Sequence, residues 1–344
     1  MWYNYPISAE RASYRSQNCE RKVKILKGHR IIAAALAAVI AVGLGTAQVK
    51  VSAEEDVAQV TRSGTSESIS AYDLQRTDER NVKNYLSLSS VPNKSVWSYT
   101  RKTVKLLGTA LSVKSLEIGG VSYIPFRAAA NALGASYSYN SATGTSTMKV
   151  SGLTLTASSG CYVAYGNGRA LFTMSPTVIM SDGRMYIPAE VFTKATGLVI
   201  AESQSLITIG GSFKPLVSAE KFYREDEVYW LSRIINAESC GEPLLGQIAV
   251  GDVVLNRVRS PEYPNTIYGV IFDRKYGVQF SPILNGSIYD TPCYNSVLAA
   301  KICLEGVDVT SGVKFFLHPA TSSSHWIPKT REYAFTIGRH DFYY

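Results

Sequence analysis

The stretch Tyr229-Trp-Leu-Ser-Arg-Ile-Ile-Asn-Ala-Glu-Ser-Cys-Gly-Glu-Pro243 runs from an apolar segment to a helix stop, with a carboxylate, a hydroxyl and a thiol side by side near its end. Its spacing predicts a helix from about Arg224 to Ser239: Val228, Leu231 and Ile235 fall at i, i+3 and i+7 and make one core-facing stripe. Glu238 is the next position on that stripe. Its carboxyl is therefore expected on the buried side, just before Cys240-Gly241 stop the helix and Pro243 opens another. Burial disfavours the ionised form, and a carboxyl still protonated near neutral pH is what a general acid requires. The competing reading is a glutamate at a frayed helix end, swung into water and paired with an arginine, because most glutamates are exposed.

The neighbours compete less well. Cys240 as a nucleophile needs a thiolate, yet it sits at a helix C-terminus, where the helix dipole opposes an anion. His318, His325 and His340 keep a Cys–His hydrolase open as an alternative. Ser239 has no nucleophile-elbow context. The next helix, Pro243 to about Arg259, carries Leu244, Ile248, Gly251, Leu255 and Val258 on one face, which reads as packing; Asp252 is expected to face elsewhere, solvated or paired.

Outward from this stretch, the net charge of +8 over 344 residues is uneven. Residues 1–53 hold eight basic and two acidic side chains, residues 54–213 fourteen and eleven, residues 214–344 thirteen and fourteen. The basicity belongs to the N-terminus, so a nucleic-acid-binding face is not expected downstream. Arg21–Arg30 is basic and precedes the uncharged run Ile31–Ala47, with small residues at Gly45-Thr-Ala47 and Val51-Ser-Ala53. That is the plan of an export signal or of a retained anchor at the short limit of about 17–25 residues for a span. The protein is thus expected to be exported, extracellular or in the wall, with membrane contact only through this segment. Cys161, Cys240, Cys293 and Cys303 are scattered and are expected to be buried free thiols, and no spacing suggests a metal site.

Residues 54–102 read as a polar linker. An internal repeat then appears. Tyr123-Ile-Pro125 is followed by Gly134 and Tyr186-Ile-Pro188 by Gly197, nine residues after each proline. Each copy reads as strand, turn, short strand, Pro at a helix start, Gly at its stop, then strand. Gly120-Val-Ser-Tyr-Ile-Pro-Phe-Arg-Ala-Ala-Ala-Asn-Ala-Leu-Gly-Ala135 resembles the repeat of the copper amine oxidase N-terminal-like (stalk) domain, over about 103–211. The second copy departs from it at Ala189-Glu190. The resemblance implies a spacer or wall-binding module and no copper. A short linker, 212–219, separates it from a predominantly helical region, 220–344.

Over about 220–344 the ordered pieces Tyr229–Pro243, Gly246–Pro261, Tyr263–Ile267, Val270-Ile271, Gln279–Pro282, Ala320-Thr321, His325–Ile327 and Ile337–His340 resemble the spore-cortex-lytic family of bacterial cell wall hydrolases. The resemblance implies a small lysozyme-like catalytic domain, an α+β architecture behind a β-rich two-repeat α+β accessory domain. It also implies an exported peptidoglycan glycosidase without a cofactor, most often a lytic transglycosylase, acting on glycan strands in wall remodelling or in cortex lysis during germination. The family's essential glutamate aligns with Glu238. Gln279, Phe280, Ser281, His318 and Trp326 are the candidates for holding sugar, and Glu242 is a possible second carboxylate, or else a first-turn acid favoured by the next helix dipole. Two departures stand out: His318 where the family usually has Asn, and Cys240. The alternatives are a non-catalytic peptidoglycan-binding protein and a Cys240-dependent amidase or peptidase.

Overall fold

A computed structural model describes residues 99–344 apart from 180–182, 276 and 323–325. The segment expected to be an export signal or anchor, most of the expected linker and His325 lie outside the described residues. Those that are described divide into two units, one of 99–224 with 304–307, the other of 225–303 and 308–344.

The first unit is built on the repeat. The two Tyr-Ile-Pro strands, Val121–Pro125 and Met185–Pro188, lie side by side and antiparallel in a five-stranded sheet, paired Tyr186↔Pro125, Ile187↔Ile124 and Pro188↔Tyr123. Each proline leads directly into a helix, α1 (Phe126–Ala132) and α2 (Ala189–Thr196), because its fixed φ suits the first turn and its missing N–H has no partner to lose there. Each helix is followed by a glycine in the left-handed region, Gly134 at φ 67° and Gly197 at φ 71°. Between the repeats, strands from Ser136 to Phe172 form a five-stranded antiparallel meander. A further sheet sets Leu206–Ile209 parallel to Thr103–Leu106, so the first and last strands of the repeat region are neighbours. One core joins these layers through Phe126, Phe192, Met148, Leu155 and Ile187, all essentially fully buried. Each such side chain contributes about 1.5–3 kcal/mol.

Gly197 has a second constraint, since a Cβ there would strike the Lys214 carbonyl. Gly197→Ala is therefore expected to cost about 1–3 kcal/mol, read as a fall in the melting temperature of the full chain.

The helix α3 (Ala219–Phe222) belongs to the first unit, and the second opens with α4 (Glu225–Ser239) and α5 (Leu244–Arg259). Glu225, Asp226 and Glu227 occupy the first turn of α4, where the helix dipole favours anions. Its buried side holds Leu231, Ser232, Ile234, Ile235, Asn236 and Ser239. α5 differs from the one-sided helix expected: residues 244–257 are buried all round. Small residues make that possible, and a Cβ on Gly251 would meet Cys303 Sγ at 2.7 Å and Ile235 Cδ1 at 2.8 Å. A helix apolar on every side becomes the centre of a core. Asp252 is buried with it, accepting the Val309 N–H at 2.7 Å, rather than solvated; burial holds its carboxyl well above the usual carboxylate range. Around α5 lie α6 (Ile267–Ile271), α7 (Pro282–Asn285), a 3-10 turn (Ser287–Tyr289), α8 (Tyr294–Leu304) and α9 (Trp326–Thr330). A three-stranded sheet completes the unit, with His340–Tyr343 between Phe315–Leu317 and Tyr333–Ile337. Both units combine helix and sheet, so the class is α+β, with the sheet-rich part first. Among the described residues, no helix is long and apolar enough to cross a membrane.

Candidate active site

The C-terminal end of α4 opens into a cavity of ≈ 450 Å³. Glu238 enters it from the helix, Ser287 and Asp290 from the 3-10 turn and its exit, and His318, Arg339 and His340 from the ends of the sheet strands. The local stop explains the position of Glu238. Ser239 Oγ donates back to the Ile235 carbonyl at 2.7 Å and the Glu242 N–H to the Ser239 carbonyl at 2.8 Å, so the chain turns away and leaves the last helical residues at the mouth. Glu238 lies at the edge of the apolar stripe and stays partly accessible.

Its surroundings nonetheless exclude most water. Burial pushes the Glu238 carboxyl up to about 7, and the Arg257 guanidinium pulls it back part of the way. Arg257 is itself a buried cation, 5% exposed, with its own pKa lowered by burial. Its Nε donates to the Lys314 carbonyl at 2.8 Å, and its guanidinium lies 5.1–5.4 Å from the ring centres of Tyr263, Phe280 and Phe315.

Glu242 has a different task. Oε2 accepts the Arg339 N–H at 3.0 Å and Oε1 the Arg339 Nε–H at 2.7 Å. The Gly338-Arg339 turn comes this close because Gly338 has φ 60° and no Cβ, which would collide with Glu242 Oε2. Gln247 Nε2 fixes the Glu242 carbonyl at 2.9 Å, and Gln247 Oε1 accepts from Ser296 on α8. With both oxygens engaged, Glu242 fastens the β-hairpin to the start of α5. Opposite it, His318 and His340 pack edge to face with ring centres 5.8 Å apart. Both Nδ1 atoms are buried without a hydrogen-bond partner. Burial lowers the His340 pKa against the opposing pull of Glu242.

Of the five residues expected to hold sugar, His318 lines the cavity. Phe280 is 2% exposed and is a core ring under Arg257. Trp326 is 50% exposed and packs edge-on against Phe315, 5.7 Å between centres. Gln279 Nε2 donates to the Gly277 carbonyl, and Ser281 is an exposed residue preceding α7. None of these four lines the cavity. Cys303 is buried and Cys161 and Cys293 are half-buried, none of the three in a disulfide, and Cys240 lies in the cavity lining at the C-terminal end of α4, where the helix dipole opposes a thiolate. Asp290, Arg257 and Arg339 were not among the candidates. No group of side chains able to hold a metal occurs among the described residues. A larger, open depression of ≈ 770 Å³ in the first unit, bordered by Lys149–Thr154 and Asn167, has no carboxylate in its lining.

Residues 241–343 match the Cell Wall Hydrolase family, and residues 105–209 the copper amine oxidase N-terminal domain. That match puts a cell wall hydrolase domain at the C-terminal end of the chain. The match starts three residues beyond Glu238, so that residue stands on the geometry above. The hydrolase domain is 38% identical over 120 residues to a spore cortex-lytic enzyme of Bacillus cereus, covering 35% of this chain and 45% of that protein. It is 34% identical over 120 residues to one of Halalkalibacterium halodurans, covering 35% of each. The chain thus spans less than half the length of these relatives. Among solved structures it is 37% identical to the catalytic domain of the germination-specific lytic transglycosylase SleB from Bacillus anthracis, covering 36% of this chain and 97% of that one, with a TM-score of 0.33.

Proposed function

We propose that the protein is an exported peptidoglycan glycosidase, a lytic transglycosylase that cleaves the glycan strand between N-acetylmuramic acid and N-acetylglucosamine, with Glu238 as both acid and base. One observation carries this reading: a carboxyl held at about 7 at the mouth of a cavity large enough for sugar. Such a group is protonated often enough at neutral pH to donate and is a competent base once it has done so.

The sequence of events follows from that one group. Glu238 delivers its proton to the glycosidic oxygen as the C1–O bond breaks, and the leaving sugar departs as an alcohol. Positive charge develops at C1 and its ring oxygen. The muramic acid's own 6-hydroxyl attacks C1 and returns its proton to the Glu238 carboxylate, which closes a 1,6-anhydro ring and restores the acid. No water is consumed. Glu242 takes no part in this reading, because its carboxylate is held by Arg339. His318 and His340 supply imidazole edges to the cavity wall that can orient sugar hydroxyls.

Asp290 supports a second reading. It is another carboxylate lining the same cavity, and two carboxyls flanking a glycosidic bond would allow hydrolysis instead. Mass spectrometry of fragments released from vegetative sacculi and from spore cortex separates the two. The transglycosylase reading expects 1,6-anhydromuramyl ends that persist in Asp290→Asn. Reducing muramic ends that disappear in Asp290→Asn would replace it with the hydrolase reading. No release by the wild-type chain from either material would overturn both and favour a binding protein. The names of the relatives make cortex a natural first substrate.

A further inference from the structure

We propose that an exposed aromatic shelf beside the cavity, formed by Tyr229, Trp230, Tyr268 and Tyr289, is a second glycan-binding subsite that holds the strand where it runs past the cleavage point. Trp230, half-buried on α4, is the hub. Its ring centre lies 4.9 Å from Tyr229, 5.2 Å from Tyr268 and Phe272, and 6.3 Å from Tyr289, all edge to face. Tyr268 and Phe272 lean together at 4.5 Å. Three rings of this cluster nonetheless stay open to solvent, 41%, 53% and 45% exposed at Tyr229, Tyr268 and Tyr289.

The shelf comes from three separate elements, α4, α6 and the 3-10 turn, so it is not the residue of one amphipathic helix. A cluster this apolar left open to solvent marks a binding surface. Its continuity with the cavity identifies the occupant. Tyr289 lies between Ser287 and Asp290, both of which line the cavity, and Trp230 precedes Glu238 by eight residues on α4, about 12 Å along the helix. A polymer lying in the cavity and extending along α4 meets the shelf next. The chemistry suits sugar: ring faces for the apolar C–H faces of a pyranose, and three phenolic hydroxyls for its rim. Arg233 lies 3.7 Å over the Tyr229 ring, and a single cation stacked on a ring is not the basic cluster an anionic membrane would call for.

This subsite rests on the glycosidase reading, and the test separates the two. The full-length chain, Tyr268→Ala, Tyr229→Ala/Tyr268→Ala and Tyr268→Phe are compared on intact sacculi and on a soluble peptidoglycan tetrasaccharide, with circular dichroism to verify folding. The double alanine variant is expected to lose about tenfold in kcat/KM on sacculi, and its loss on the tetrasaccharide to be about fivefold smaller or less; Tyr268→Phe, which keeps the ring, restores most of the activity. The same order is expected for sacculus binding by these variants on a Glu238→Gln background, where no turnover intervenes. Equal losses on long and short substrates, no loss on either, or a Phe variant as weak as Ala would overturn the subsite. A change from dimer to monomer in light scattering with an unaltered long-to-short ratio would assign the shelf to self-association and overturn it too. If the wild-type chain neither cleaves nor binds either substrate, the glycosidase reading falls and takes the subsite with it.

Discussion

Glu238→Gln is expected to reduce release of glycan fragments by about 10³-fold or more while leaving the fold intact, since the amide keeps the shape of the carboxyl and loses its proton chemistry. The same substitution makes a second, opposite prediction about stability. Burial raises the folded-state pKa of Glu238 from 4.5 to about 7. A carboxyl whose pKa rises on folding costs nothing below its unfolded value, where both states are protonated. Stability is then lost as pH climbs from about 4.5 through 7, because the unfolded chain ionises first. The cost above pH 7 approaches about 3 kcal/mol at most, less for the part of the group that water reaches. Glutamine carries no such cost. The variant should therefore melt at a higher temperature than the wild-type chain at pH 8 and at about the same temperature at pH 4. Thermal melts at the two pH values check this, and a variant no more stable at pH 8 than the wild type would contradict a buried Glu238.

Arg257→Met should have the next largest effect. The thioether side chain fills much of the same volume among Tyr263, Phe280 and Phe315, but the cation and the hydrogen bond to the Lys314 carbonyl are gone. Leaving that carbonyl without its charged donor is expected to destabilise the protein by about 2–4 kcal/mol, read by denaturant titration. Activity should change in a more telling way. Arg257 favours the ionised form of Glu238, so removing it moves the Glu238 pKa upward. A general acid works while it is protonated. The wild-type rate should thus decline as pH rises through about 7, and the decline in Arg257→Met should be displaced to higher pH. A displacement to lower pH, or none, would show that Arg257 does not act on the acid.

The position of Glu238 was legible because a helix writes its core-facing side at a fixed interval, while its role as the acid came only from the family resemblance. The repeat was legible for a related reason: proline and glycine restrict the backbone in their own right, wherever the rest of the chain goes. Arg257 acts on Glu238 through its charge, and Asp290 and Arg339 line the cavity, from 19 to 101 positions further along the sequence, and no local rule connects them to Glu238. The aromatic residues failed in the other direction. Phe280 and Trp326 looked equally suited to a cleft, but a ring suits a core as well as a sugar, and only packing sends Phe280 under Arg257. For α5 the signal was present and was read too narrowly. Leu244, Leu245, Ile248, Val250, Val253 and Val254 cover every side of the helix, and Gly246, Ala249 and Gly251 leave room for neighbours on all of them.

The register of the two Tyr-Ile-Pro strands carries one more consequence. Tyr186 faces Pro125, Pro188 faces Tyr123, and the two isoleucines face each other at the centre. Each half presents to the other the surface that it receives, which is the rule for a twofold contact between identical subunits. The accessory domain is in that sense a dimer tied into one chain. A duplicated ancestor that paired with itself would have arrived at this geometry, and fusing the copies would have freed each to diverge, as the change at Ala189-Glu190 illustrates.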